Sequence, residues 1–162
     1  MLFAELMICC QAAFRPFTAR TLAALVSPDA PPDSAQRAAL LRLKIVKAVT
    51  ALRSNLDDYF HLAVPFLRQS FESQVDMELR IACVQSIGWL CADLSDFRPY
   101  VPKTLLPLLR ILPDTKEPLA RHIVTTISEI MQSIGTAFNP YLEVVDAVVR
   151  DVCIAIGIAR LD

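Results

Sequence analysis

Apolar positions along this chain recur at helical rather than strand intervals. Leu79, Cys83, Ile87, Leu90 and Leu94 step by 4, 4, 3 and 4 residues, which aligns them along one side of a helix. Leu119, Ile123, Ile127, Ile130 and Ile134 repeat those steps 40 residues later. Leu41, Ile45, Val49 and Leu52 begin the series once more toward the N-terminus. The tyrosines Tyr59, Tyr100 and Tyr141 are spaced 41 residues apart, each near the start of an apolar segment: "DDYFHLAVPFLR", "RPYVPKTLLPLLR" and "NPYLEVVDAVVR". Self-similarity at a fixed period of this length marks a repeat array, in which each unit buries its apolar face on its neighbours.

The pattern predicts seven helices, at about 1–25, 36–53, 56–72, 77–94, 99–112, 117–135 and 138–157. Short turns such as "SQVD" (73–76) and "PDTKE" (113–117) separate them, and "SPDAPPDS" (27–34) is a linker that no helix can cross. Ser54 or Asn55 is placed to cap the third helix, with Asp57 and Asp58 near its positive end. Pro65 and Pro107 fall inside the third and fifth helices and read as a repeated bend.

The expected fold is all-α: an α-solenoid of antiparallel helix pairs, HEAT/armadillo-type, with about three and a half repeats. The units run roughly 1–53, 56–94, 97–135 and an incomplete 138–162. "DMELRIACVQSIGWL" (76–90) resembles the second helix of a HEAT unit in its acid, early arginine, small residue and late Gly-x-Leu. Those positions are Asp76, Arg80, Ala82, Gly88 and Leu90. The next unit keeps Asp114 and Arg121 but has no matching glycine. In HEAT proteins the corresponding residues resemble a ladder between adjacent units.

Composition narrows the possibilities further. The chain has 162 residues, 54% of them hydrophobic, and only three glycines, which disfavours phosphate loops and turn-rich β folds. Sixteen basic residues against seventeen acidic give no electrostatic case for nucleic acid. The five cysteines, Cys9, Cys10, Cys83, Cys91 and Cys153, show neither a disulfide pattern nor metal-ligand spacing. They read as reduced thiols in a cytoplasmic protein. "MLFAELMICCQAAF" lacks a basic leader region, and no uncharged apolar run is long enough for a membrane span.

Few side chains invite a chemical reading. His61 lies four residues after Asp57 on one helical face, but no nucleophile stands nearby, and a surface histidine beside capping acids is the plainer account. His122 is expected on the solvated side of its helix, with Thr125, Thr126 and Glu129. Cys83 and Cys91 read as small buried hydrophobes. Asp76 and Arg80, four apart, read as an ion pair at a helix end. Trp89 lies off the apolar stripe of its helix; packing on a neighbouring repeat is the plainer reading, and an anchor for a partner is the other. Arg37, Arg42, Lys44, Lys47 and Arg53 form a basic run without an acid, which helical angles scatter into a solvated surface. No catalytic residue, cofactor or metal is expected.

With the repeats placed, "KIVKAVTALRSNLDDYFHLAVPFL" (44–67) resembles a segment of the HEAT solenoid of target-of-rapamycin (TOR) Ser/Thr kinases. Asn55, Leu56, Asp57, Asp58, Tyr59, His61, Leu62 and Pro65 carry the likeness. "LLPLLRILPD", "IGTAFNPYLEVVDAVV" and "VRDVCIAIGIARLD" extend it to residue 162, while "CADLSDFRPYVPK" matches less well. The resemblance implies a non-catalytic scaffold segment whose kinase lobes lie elsewhere, serving nutrient and growth signalling. It also implies contacts with neighbouring HEAT units, an adaptor subunit such as Raptor, or a second TOR protomer. Candidate protein-binding or inter-repeat residues are Trp89, Arg80, Asp76 and Arg121. A free-standing HEAT adaptor of the phosphatase-scaffold or nuclear-transport kind is the alternative. Membrane-surface binding through the basic helix is a further one. Both ends of the chain are apolar where a solenoid cap would be polar, so the isolated chain is expected to self-associate, which sedimentation at high concentration would detect.

Overall fold

The computed structural model describes residues 35–52, 56–72 and 76–155. The expected first helix and the 27–34 linker lie outside them. Among the described residues the chain is helical with no strand: α1 (Ala35–Leu52), α2 (Phe60–Glu72), α3 (Met77–Asp93), α4 (Val101–Ile111), α5 (Leu119–Ile134) and α6 (Leu142–Ala155). Short 3₁₀ turns at Arg98–Tyr100, Leu112–Asp114 and Gly135–Tyr141 join the later helices.

The helices stack as an α-solenoid of antiparallel pairs in two layers. One layer is α1, α3 and α5, with α3 packed between its neighbours; the other is α2, α4 and α6. Each layer is built from helices two elements apart in the chain, as a repeat array requires. The apolar stripes of α3 and α5 lie where the spacing places them: Leu79, Cys83, Ile87, Leu90 and Leu94 are buried, as are Leu119, Ile123, Ile127 and Ile130.

Two helices depart from the simple stripe. On α1 the buried track is Ala39, Leu43, Val46, Val49 and Leu52, while Leu41 is 52% exposed. The leucine-rich start of α1 offers two overlapping tracks, and packing against α3 selects the one through Leu43 and Val46. On α3, Val84, Ser86, Gly88 and Cys91 are buried beside the predicted stripe, because α3 is enclosed by α1, α2 and α5. A helix covered on several sides is apolar around most of its circumference.

The tyrosine period has a packing cause. The Tyr100 ring stands edge-on to Phe60, with centroids 4.9 Å apart, and Phe97 lies 5.7 Å from Phe60. The turn before α4 thus clasps the first residue of α2 in the preceding unit. Phe138 and Tyr141 form the equivalent pair one period later, 5.9 Å apart. Leu56, Phe97 and Phe138, themselves one period apart, are all buried.

The third predicted helix starts later than expected. Leu56–Tyr59 form a tight turn closed by Tyr59 N–H donating to the Leu56 carbonyl (2.9 Å), and α2 begins at Phe60. The Asp57 carboxylate reaches beyond this turn and accepts the Ser95 backbone N–H at 2.8 Å, tying the turn to the one ahead. At the far end of α5, Gly135 takes φ 55°, a left-handed conformation that glycine adopts without steric cost and that ends the helix.

Candidate functional site

Two kinds of side chain on α3 and α5 set the surface: those that fix one unit on the next, and those left facing outward. Hydroxyl and amide groups make the ties. Thr126 Oγ1 donates to the Val84 carbonyl (3.0 Å) and Ser133 Oγ to the Cys91 carbonyl (2.5 Å). Gln85 Nε2 lies 3.3 Å from His122 Nδ1. Between α1 and α3, Thr50 Oγ1 donates to Ser86 Oγ (2.7 Å), which donates in turn to the Ala82 carbonyl (2.6 Å). The partners of each cross-helix bond are 36 to 42 residues apart, one repeat. His122 is therefore half-buried and engaged with the neighbouring unit, not solvated as its polar neighbours suggest.

Gly88 is where the Glu129 side chain of α5 crosses α3. A Cβ there would sit 1.8 Å from Glu129 Oε2, the end of a flexible side chain, and 3.2 Å from Thr126 Oγ1, so its absence gives that carboxylate its place. The same closeness desolvates Glu129 and raises its carboxyl pKa.

The four candidate residues do not form one site. Asp76 caps α3: its Oδ1 accepts the Leu79 backbone N–H at 2.9 Å. With the carboxylate turned to that donor, Arg80 takes another partner, donating Nε–H to the Phe71 carbonyl at 2.9 Å. The expected Asp76–Arg80 ion pair thus resolves into two separate bonds, a helix cap and a clamp on the end of α2. Asp76→Ala should cost about 1 kcal/mol in urea denaturation, with Asn at this position retaining most of it because its side-chain oxygen also caps. Arg121 is exposed and pairs within its own helix region with Glu117 at 3.3 Å. It makes no ion pair with Asp76 of the preceding unit among the described residues.

Trp89 is the outward-facing candidate. It is 54% exposed. The cause is its place on α3: the ring emerges between the two lines of contact with α1 and α5. It stands at one wall of a hollow of 330 Å³ between α1 and α3, whose other lining residues are Val46, Lys47, Thr50, Ala51, Ala82, Gln85 and Ser86. Of these, Lys47, in the basic run, and Ala82, the small residue of the HEAT-like motif, figured among the residues singled out in the sequence. The signal that could have found the rest is the set of small residues Ala51, Ala82 and Ser86, which leave room between two helices.

None of the side chains with a chemical reading, His61, Cys83 or Cys91, lines the hollow. His61 is exposed. Cys83 and Cys91 are buried, and burial pushes each thiol pKa up to about 12. A thiol so disfavoured as thiolate is a poor nucleophile. Among the described residues no three potential metal ligands converge, and no helix is long and apolar enough to cross a membrane. What the surface offers is shape: a helical stack with a tryptophan-walled hollow. Residues 35–156 match a family model described as importin subunit beta-1-like, TPR repeats.

Proposed function

The chain belongs to this importin subunit beta-1-like repeat family, and from that premise we propose that it works as a non-catalytic HEAT-type scaffold segment that presents a protein-binding surface. The observation that carries this reading is the division of labour on α3. Its stripe and hydroxyl contacts are spent on α1, α2 and α5, while Trp89 faces outward beside an open hollow. The units are taken as roughly 1–53, 56–94, 97–135 and the incomplete 138–162, with 27–34 as linker. Asp76, Arg80 and Arg121 then act in helix capping and local pairing, and Trp89 in partner contact.

In its finer form, the segment belongs to a TOR-type Ser/Thr kinase in the cytoplasm, where it meets neighbouring units, a second protomer or an adaptor such as Raptor. The "NLDDYFHL" string and its successor helices support this form. A nuclear-transport adaptor is the second form, favoured by the importin-type family match. Sequencing the full-length transcript through both ends of the frame separates them. Continuation into further helix pairs and then kinase motifs supports the TOR form. Continuation into repeats alone, without kinase motifs, overturns it in favour of the adaptor.

A further inference from the structure

Helix α1 carries basic residues and no acid over its whole length, "AQRAALLRLKIVKAVTAL". Leu40, Lys44, Lys47 and Ala51 follow the spacing of one helical face. Leu40, Lys44 and Lys47 are exposed, and Ala51 is half-buried at the hollow. Lys47 lines the hollow itself, and Lys44 stands one turn along the same face. Neither lysine makes an ion pair among the described residues. The opposite wall, Ala82, Gln85 and Trp89, contributes no charge. A groove with an apolar floor, an aromatic wall and one cationic rim is complementary to a segment with the reverse arrangement.

We propose that the groove between α1 and α3 is a docking site for an acidic amphipathic segment of a partner protein. An apolar side chain of that segment enters the hollow against Trp89 and Ala51, and its carboxylates face Lys44 and Lys47. The ammonium groups select for acidic partners and speed encounter, while the tryptophan supplies the desolvated anchor. A basic segment meets repulsion from Lys44 and Lys47. The proposal rests on reading the chain as a protein-binding scaffold, and adds the chemistry of what it binds.

Trp89 is the single tryptophan of the chain, so its emission reports directly on this hollow. The test titrates the intact chain with a synthetic amphipathic helix bearing Leu and Phe on one face and Glu on the other. A Lys-for-Glu counterpart and phosphatidylserine vesicles serve as comparators. The acidic peptide should shift Trp89 emission to the blue, with affinity falling as salt is raised. Lys44→Glu with Lys47→Glu should weaken it by roughly tenfold or more and let the basic peptide bind instead. Both positions are at the surface, and circular dichroism confirms that the double variant is folded. Equal binding of both peptides by the unaltered chain overturns the proposal, as does a shift produced by the vesicles and not by the peptide. If the acidic peptide leaves the emission unmoved, the groove assignment falls while the scaffold reading, which the full-length transcript tests separately, stands.

Discussion

Replacing Phe60 with alanine is expected to remove about 3–5 kcal/mol of stability, the range for deleting a fully buried aromatic ring. Phe60 is 0% exposed and is held by Phe97 and Tyr100 from the unit ahead. Three losses combine at this position. The ring's own transfer out of water is lost, a cavity opens at the start of α2, and the edge-on contact with Tyr100 disappears. Because total stability of a domain is about 5–15 kcal/mol, such a loss takes a large share of it. Urea denaturation of the variant measures it, with Phe60→Leu as the volume-sparing control, which should cost far less. A loss below about 1 kcal/mol in the alanine variant would mean that the aromatic clasp does not hold successive units together.

The second large effect concerns the buried thiols. Burial is the leading cause for both Cys83 and Cys91, and moves each from the usual 9.0 to about 12. Arg42 and the Ser70 hydroxyl draw Cys83 part of the way back, whereas Glu129 and Asp93 push Cys91 further up. Reactivity follows the thiolate, so at neutral or mildly alkaline pH these two groups should alkylate about a thousandfold more slowly than exposed cysteine. The chain with Cys9, Cys10 and Cys153 replaced by serine isolates them. Iodoacetamide at pH 8 should leave both unlabelled in buffer and label both in urea. Rapid native labelling at either position would show that its helix opens locally.

The same shift fixes the direction of alkaline unfolding. Folding favours the protonated thiol, so this contribution to stability is complete below the unfolded pKa near 9.0. It declines as pH rises toward about 12, where the unfolded chain ionises and the folded one resists.

Much of the array is written in the spacing of leucines and isoleucines, because a helix that faces one neighbour shows one stripe. α5 packs chiefly on α3, and Leu119 to Ile130 follow the expected track. α3 touches three helices, and a single stripe cannot describe a surface buried on several sides. α1 misled for a different reason: two leucine tracks are equally good locally, and only the position of α3 decides between them. Hydrogen bonds between units were the least legible feature. Thr126, Ser133 and His122 look like ordinary polar surface until Val84, Cys91 and Gln85 are brought opposite them by the repeat. The hollow beside Trp89 left only a faint trace, because the small volume at Ala51, Ala82 and Ser86 gains meaning only once the two helices face each other.

The ties between units are not shared evenly by the two layers. α3 and α5 are pinned by Thr126, Ser133 and the Gln85–His122 contact. α2 and α4 meet through aromatic rings and the exposed Glu72–Arg110 pair, 2.7 Å between its atoms. A directional hydrogen bond resists sliding, while ring faces and edges tolerate small rotations at little cost. A load applied along the stack should therefore turn successive pairs about the pinned layer, as leaves turn on a common spine, with the bonds of Thr126, Ser133, Gln85 and His122 setting the resistance to that turn.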